Sequence, residues 1–326
     1  MAVRVGTPWR RAFGAGVGQA GGVRAGRASV TARVVAVGRA VGVAGVPRDP
    51  LVARLLPVQD RVVVAMLGAL GAGRAGPAWG LGHAALRMAA VDRSLADAVA
   101  GVDRSLADAV AAVDRSDAEE APVALAAGVQ VVVLGAGWDT RPWRLGALEG
   151  TTVLEVDHPA TQARKRRVVV ELDPVASDVR LVPADLAADD LDVVLGRAGH
   201  DATRPTVWLW EAVVPYLPEV AVEATLRVVA ARSARDSRLV VTTVTPALVD
   251  PAPPRWVPLP ALARAGMRAL GEPVLLAEDD GAVATRLARY GFDTEHRGGP
   301  RAWARDAGVP LVGAVLDERL HVAVRA

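Results

Sequence analysis

The 326-residue chain has no cysteine, one lysine and only 4% aromatic residues. Without cysteine it can form no disulfide, no thiolate metal site and no cysteine nucleophile. Its five histidines are scattered, without the paired spacing of metal ligands, so the sequence predicts no metal site. The formal net charge is only +2, which gives no reason to expect a nucleic-acid partner.

Long apolar runs are also missing. The best candidate, residues 61–72, is too short and too interrupted to span a bilayer, which takes about 20 apolar residues. Residues 1–27 are rich in glycine and include Arg10-Arg11, but they lack the apolar core of an export signal. We therefore expect 1–27 to be a disordered leader and the protein to be cytoplasmic, without membrane association.

What the chain does have is an 11-residue tandem repeat over 91–116, made of VDRSLADAVAG, VDRSLADAVAA and the start of VDRSDAEEA. Eleven residues are close to three helical turns, so each copy presents the same face and the repeat is predicted to extend one amphipathic helix. We assign it to an N-terminal helical region, 28–128. It is interpreted as a solvated helix without a chemical role, and a surface for a partner is the alternative.

The middle of the chain is typical of half of a nucleotide-binding site. A buried, β-branched strand is predicted over 129–134. Gly135 and Gly137 then allow a tight turn and a close approach of the backbone to a ligand. A helix is predicted over 140–148, and a second strand over 151–156.

Two acids, Glu155 and Asp157, lie at the end of the second strand, where such folds bind ribose hydroxyls. The third glycine that a dinucleotide fingerprint requires is replaced by Thr140. Asp139 is expected at the N-terminus of the helix, where its charge would repel a diphosphate and favour a ligand with a cationic centre. A nicotinamide oxidoreductase is therefore disfavoured. The expected cofactor is S-adenosylmethionine, which has a sulfonium and an α-amino group.

Four ordered motifs carry a family resemblance: LGAGWDTRPWRL, LEVDHPATQARKRR, VPADLAADDL and WLWEAVVPYLPEVAVEATL. Together they resemble the S-adenosylmethionine-dependent methyltransferases of the leucine carboxyl methyltransferase group, particularly its bacterial branch. The resemblance implies an α/β fold of the class I methyltransferase (Rossmann-like) type. Such a fold has a mostly parallel seven-stranded sheet with helices on both faces. We expect an N-terminal helical extension and a helical cap insertion in addition.

The methyltransferase core is expected over 129–326. Further strands are predicted over 179–182, 206–210, 239–244, 294–297 and 320–324, and helices over 219–231 and 278–290. A proline-rich insertion near 246–273, with a helix over 261–270, is expected to cap the acceptor pocket. A surface linker with a packing helix is the alternative.

The resemblance assigns cofactor contacts to Arg87, Gly135, Gly137, Asp157, Asp185, Leu186 and Glu211. Arg87 would hold the carboxylate of the cofactor with its guanidinium fork. Asp157 would accept hydrogen bonds from the ribose diol, with Glu155 as the other candidate for this contact. Asp185 and Leu186 would contact the adenine, although a simple helix cap is the alternative for Asp185.

The candidates near the acceptor have less support. Glu211 would pair with the α-amino group of the cofactor or face the acceptor. Tyr216 would line the acceptor pocket or pack in the core, while Arg141 and Arg144 would anchor an anion or brace the turn. His158 is expected to brace its loop. The sequence identifies no general base, and a carboxylate acceptor, which is ionised at neutral pH, needs none.

The function that follows is methyl transfer from S-adenosylmethionine to an oxygen of a small-molecule acceptor, with a carboxylate favoured. One alternative is a non-catalytic or impaired cofactor-binding protein on the same fold, because the repeat begins so soon after Arg87. A nicotinamide oxidoreductase is the other. The acceptor itself and the oligomeric state are not predicted.

Overall fold

The computed structural model describes residues 30–70, 81–112, 128–250, 258–311 and 315–326. The expected leader, 1–27, and the third copy of the repeat lie outside this part of the chain. The described residues contain seven strands: β1 (Gln130–Leu134), β2 (Thr152–Asp157), β3 (Asp178–Pro183), β4 (Thr206–Trp210), β5 (Arg238–Asp250), β6 (Phe292–Gly298) and β7 (Val315–Arg325).

The strands form one sheet in the order β3-β2-β1-β4-β5-β7-β6. Neighbouring strands from β3 to β5 are parallel, and β7 is antiparallel to both β5 and β6. A mostly parallel seven-stranded sheet with this antiparallel insertion confirms the expected class I methyltransferase fold. The carboxyl ends of β1, β2 and β4 therefore lie side by side at one edge of the sheet.

The described residues also contain ten α-helices: α1 (Val30–Val41), α2 (Val52–Leu55), α3 (Val58–Ala69), α4 (Leu81–Ala112), α5 (Pro159–Val169), α6 (Leu191–Arg197), α7 (Glu219–Ala231), α8 (Leu259–Ala269), α9 (Asp280–Arg289) and α10 (Pro300–Asp306). One core lies between the sheet and the helices α4 and α10, and a second lies between the sheet and α6, α7 and α9. In the described part of the chain, no helix combines the length and the apolar composition that crossing a membrane requires.

Residues along the central strands alternate between the two cores. In β1, Val131 and Val133 belong to the core beneath α4, whereas Val132 and Leu134 belong to the opposite one. Because both faces are covered, the central strands are mostly apolar, which is why they could be predicted from the sequence. The indole of Trp208 is fully buried in the second core.

The helix predicted over 140–148 is wrong, because the chain forms two short 3-10 turns there, Arg141–Trp143 and Gly146–Leu148. Pro142 has no N–H to donate, and its carbonyl oxygen accepts hydrogen bonds from the distant N–H groups of Val175 and Ala176. This segment of backbone is therefore held by tertiary contacts and not by a helical ladder.

The start of the predicted insertion is also wrong. Residues 246–250, predicted to belong to the insertion, continue β5, and Val249 and Asp250 pair with the first residues of β7 after a β-bulge. The helix predicted over 261–270 is present as α8, and Leu262 on this helix is 62% exposed. Its role as a cap stays a prediction.

The first two copies of the repeat lie in α4 but in different surroundings. In the first copy, Leu95 is fully buried against the sheet, together with Val91 and Ala98. The matching leucine of the second copy, Leu106, is only partly buried at the margin of the same core. The second copy therefore extends beyond the part of the sheet that covers the first.

This difference predicts unequal effects of one substitution made in two identical local sequences. Leu95→Ala should lower the free energy of unfolding by about 2–5 kcal/mol, because it leaves a cavity in the core. Leu106→Ala should lower it by about 1 kcal/mol or less. Urea unfolding with an unchanged m value measures both losses, and helix propensity cancels in the comparison. Equal losses in the two variants would contradict the packing of α4.

Candidate active site

The turn after β1 places two glycines at the carboxyl edge of the sheet. Gly135 has φ +70°, its N–H donates to the carbonyl of Val156 at 2.8 Å, and a Cβ at this position would collide with the side chain of Val213. Gly137 has φ +45°, and a Cβ there would meet no atom closer than 3.8 Å. A side chain at Gly135 would therefore be excluded by Val213, whereas at Gly137 it is the positive φ, and not a collision, that favours glycine.

Asp157, at the end of β2, faces this turn. One of its carboxylate oxygens accepts a hydrogen bond from the N–H of Gly137, and the other accepts from the N–H of His158 at 2.5 Å. Burial raises the pKa of Asp157 in spite of these hydrogen bonds. Each oxygen keeps a second lone pair, so the carboxylate can still accept from a ligand.

Glu155, the other candidate for the ribose contact, is fully buried. Its Oε2 lies 2.5 Å from Nζ of Lys165, the single lysine of the chain, which is 1% exposed. Burial raises the pKa of Glu155 to about 7, although the neighbouring ammonium opposes the shift. Of the two acids, Asp157 is the one that contacts the glycine turn.

Glu211 follows β4 and lies between two arginines. Its Oε1 accepts a hydrogen bond from Nε of Arg87 at 2.9 Å, and its Oε2 is 2.8 Å from Nη2 of Arg141. Ala212, the next residue, has φ +55°, a conformation that is costly for a side chain with a Cβ. Its N–H donates to Oγ1 of Thr242 at 2.8 Å, which holds the strained turn in place.

Arg87 also binds Glu318 on the antiparallel strand β7, with Nη1 2.9 Å from Oε2. The same oxygen is 2.9 Å from Nε2 of His83, one turn earlier on α4. Burial alone would raise the pKa of Glu318, but Arg87 and His83 lower it to about 2. The carboxylate is therefore ionised at neutral pH although it is 1% exposed.

Arg141 has a carboxylate within 2.8 Å of each guanidinium nitrogen. Besides Glu211, it contacts Asp139 through Nη1 and Asp92 through Nε, both at 2.6 Å. Asp92 also forms a bidentate ion pair with Arg144, in which Nη1 donates to Oδ2 at 2.6 Å and Nη2 donates to Oδ1 at 3.1 Å. Arg141 is thus a bridge inside the protein, in keeping with the bracing alternative, and its role in anchoring an anion stays a prediction.

Asp139 does not have the position at a helix N-terminus that the sequence predicted for it. The reason is that no α-helix begins between the glycine turn and β2. Its side chain is buried, and the adjacent Arg141 lowers its pKa against the effect of burial. The position of the missing third glycine, Thr140, is filled by a side chain that donates to Asp49 at 2.6 Å and accepts from Arg144 at 3.0 Å.

Together these contacts form one buried charge network at the carboxyl edge of the sheet. It contains five carboxylates and four guanidinium groups: Asp49, Asp92, Asp139, Glu211, Glu318, Arg39, Arg87, Arg141 and Arg144. In this network the carboxylates outnumber the guanidinium groups by one, and Asp157 stands next to it. Such a site favours a ligand that carries positive charge.

Asp185 and Leu186 lie in the loop after β3, next to Asp157. The N–H of Ala184 donates to the carbonyl of Asp157 at 2.8 Å, which joins this loop to the end of β2. Asp185 Oδ1 accepts from the N–H of Ala187 at 2.9 Å, but α6 is capped by Asp190, so the helix-cap alternative for Asp185 is wrong. Leu186 packs against the second core, and an adenine contact for this pair stays a prediction.

Tyr216 lies in the 3-10 turn Val214–Tyr216 after Glu211. Burial and the nearby carboxylate of Glu318 raise its pKa to about 12. Its phenol is therefore protonated at neutral pH and can donate a hydrogen bond, but it cannot act as a base. His158 caps α5 by accepting the N–H of Ala160 at 3.2 Å, so it braces its loop.

Three members of the site were not predicted from the sequence: Glu318, His83 and Asp92. Glu318 is separated from Arg87 by 231 residues, and no local pattern records such a contact. Asp92 stands at a repeat position that is typical of a solvated helix face. Its pairing with Arg141 and Arg144 is a property of the folded chain alone.

The chain is similar in sequence to a known protein family and to proteins of that kind in bacteria. Residues 32–230, more than half of the chain, match the model of the Leucine carboxyl methyltransferase family. A Streptomyces coelicolor protein with the provisional name S-adenosyl-L-methionine-dependent methyltransferase is 43% identical over 120 residues, which cover 36% of this chain and 42% of that protein.

Two further relatives carry the same provisional name. A Mycolicibacterium gilvum protein is 45% identical over 130 residues, covering 39% of this chain and 41% of the relative. A Mycobacterium avium protein is 34% identical over 176 residues, covering 54% of this chain and 49% of the relative. The chain thus spans less than half of the length of these curated relatives.

The lowered pKa of Glu318 predicts acid sensitivity. Because the folded pKa, about 2, is below the ordinary 4.5, the contribution of this group to stability is complete above pH 4.5 and is lost as the pH falls towards 2. Glu318→Gln should lower the free energy of unfolding by about 3 kcal/mol at pH 7, and this deficit should shrink towards pH 3. Urea unfolding at pH 7, 4.5 and 3 measures it.

The control for this variant is Glu295→Gln, because the Glu295 side chain is 51% exposed in its pair with Arg238. We expect it to change the free energy of unfolding by less than about 1 kcal/mol at any of these pH values. A Glu318→Gln deficit that stays constant from pH 7 to pH 3 would refute the role assigned to the carboxylate charge.

Proposed function

The chain belongs to the leucine carboxyl methyltransferase family, and we propose that it transfers a methyl group from S-adenosylmethionine to a carboxylate of a small molecule. The observation that carries the proposal is the placement of three features at one sheet edge: the glycine turn, Asp157, and the charge network around Glu211. Open α/β sheets bind their ligands at this edge. The provisional names of the relatives give the same cofactor.

The residues present fit this cofactor. Its sulfonium and α-amino groups are cationic, which suits the excess of carboxylates in the network. Arg87 uses Nε and Nη1 for carboxylates, and its Nη2 has no hydrogen-bond acceptor within the described ranges, so it can hold the cofactor's carboxylate. Asp157 can accept from the ribose diol, and without a side chain at Gly137 the backbone beside this carboxylate can approach a ligand closely.

S-adenosylmethionine supplies a methyl group on a sulfur that is already a good leaving group. The residues of the chain must then align the acceptor oxygen and exclude water, and alignment alone is worth up to roughly 7–11 kcal/mol. An ionised carboxylate needs no base. The protonated phenol of Tyr216 can donate a hydrogen bond to the acceptor carboxylate. The ring of His83 contacts Glu318 and the indole of Trp303, and this acceptor does not need His83 as a base.

Two alternatives are less well supported by this geometry. A dinucleotide would need a helix N-terminus after the glycine turn to receive its diphosphate, and the 3-10 turn at Arg141–Trp143 offers none. The expectation that the repeat disturbs Arg87 has less support, because α4 carries Arg87 and the first copy in one continuous helix. Methyl transfer distinguishes an active enzyme from a protein that only binds the cofactor.

Titration calorimetry tests the cofactor site. Wild-type protein should bind S-adenosylmethionine and S-adenosylhomocysteine with micromolar affinity, and Asp157→Asn should weaken both by about tenfold or more, because it removes charge-assisted hydrogen bonds to the ribose. The control is Asp178→Asn, since Asp178 is partly exposed at the opposite end of the sheet and, among the described residues, its ion pair is with Arg180. Absence of binding to the wild type would overturn the proposed function.

The pH dependence of transfer tests the acceptor class. With radiolabelled cofactor and a panel of small carboxylic acids and phenols, the rate with a true carboxylate acceptor should be flat between about pH 6 and 9, because the acceptor stays ionised. A rate that increases about tenfold per pH unit would indicate a hydroxyl acceptor that must lose a proton. Binding without transfer to any member of the panel would favour the non-catalytic alternative.

A further inference from the structure

We propose that Asp92, in the first copy of the repeat, is a specificity-determining residue: its negative charge makes the site prefer S-adenosylmethionine over the demethylated product. This inference rests on the function proposed above. It goes beyond it by assigning to the tandem repeat a part in distinguishing the cofactor from its product.

Asp92 is integrated into the site through two arginines. Its Oδ1 lies 2.6 Å from Nε of Arg141 and 3.1 Å from Nη2 of Arg144, and its Oδ2 lies 2.6 Å from Nη1 of Arg144. The side chain is 16% exposed. Burial would raise the pKa of Asp92, but the two guanidinium groups lower it, so the carboxylate is ionised at neutral pH.

This charge decides the balance of the network. With Asp92 the network has five carboxylates against four guanidinium groups, and without it the two numbers are equal. Arg141 contacts both Asp92 and Glu211, so the loss of Asp92 would leave more of the positive charge of Arg141 next to Glu211. Charges in such a partly buried site act through an effective dielectric of about 20 and are weakly screened by salt.

The affinities of the cofactor and of its demethylated product should depend differently on this charge. S-adenosylmethionine and S-adenosylhomocysteine share the adenosine and the amino-acid part, and differ in one methyl group and the positive charge of the sulfonium. A change in packing would weaken both ligands alike. A change in the potential of the site would weaken the sulfonium form more than the neutral thioether.

The repeat itself supplies a matched control. Asp103 occupies the same position as Asp92 in an identical run of ten residues, VDRSLADAVA. Asp103 is exposed, and within the described ranges it makes no ion pair. Asp92→Asn and Asp103→Asn therefore make the same change of charge in the same local sequence, and only the first lies in the network.

The register of α4 explains why the first copy takes this role. A shift by one copy would place Asp103 where Asp92 stands, but it would also place Ala98 at the position of Arg87 and Ser94 at that of His83. Glu211 and Glu318 would then lose their cationic partner inside the protein, which is strongly unfavourable. The arginine ahead of the repeat thus selects the first copy.

Calorimetry of the full chain with both ligands tests the proposal. Asp92→Asn should weaken S-adenosylmethionine by about three- to tenfold more than S-adenosylhomocysteine, and Asp103→Asn should change neither affinity. Equal losses for both ligands would show that Asp92 is only a structural brace, and unchanged affinities would overturn the proposal as well. Absence of binding to the wild type would instead signal failure of the proposed function.

A second variant keeps the test decisive if Asp92→Asn folds poorly. Arg144→Gln removes a positive charge from the same ion pair, so it should shift the ratio of the two affinities in the opposite direction, towards the sulfonium form. Asp92→Glu, which keeps the charge, should retain the wild-type ratio. A ratio that does not follow the sign of the charge change in these variants would refute the proposal.

Discussion

The structure depends on a carboxylate, Glu211, that is held between two buried arginines. Arg87 comes from a helix ahead of the sheet and Arg141 from the turn after the glycines, so this one side chain joins parts of the chain that are far apart in sequence. A buried ion pair adds little net stability over apolar side chains of the same shape, yet removal of one partner costs about 3–5 kcal/mol. The network therefore tolerates few alternatives, and the strained backbone at Ala212 persists because its surroundings determine it.

The same constraint explains why the antiparallel strand β7 belongs to the site. Glu318 on β7 is the second carboxylate that binds Arg87. Without it, a guanidinium that is 5% exposed would face Glu211 alone. The C-terminal strand thus completes the sheet and also helps to fix the orientation of Arg87 at the opposite end of the chain.

The sequence was sufficient to predict the central strands and the glycine turn, because apolar β-branched runs and paired glycines are local signals. It failed over 140–148, where apolar residues at helical spacing hide the effect of Pro142 and of the arginine contacts beside it. Asp92 could not be predicted either, because Asp103 has the same neighbours in sequence and a different environment. Whether a repeated segment is buried depends on the part of the protein that packs against it. The local sequence does not show which part that is.

The buried position of Lys165 has a consequence for the chemistry of the whole surface. It is the only lysine, so the folded protein presents no accessible ε-amine, and every basic side chain on its exterior is an arginine or a histidine. Guanidinium groups keep their protons beyond pH 12. The positive charge of these guanidinium groups therefore stays constant through the alkaline range in which lysine-rich proteins lose theirs, and reagents that acylate ε-amines can modify Lys165 only after the chain unfolds.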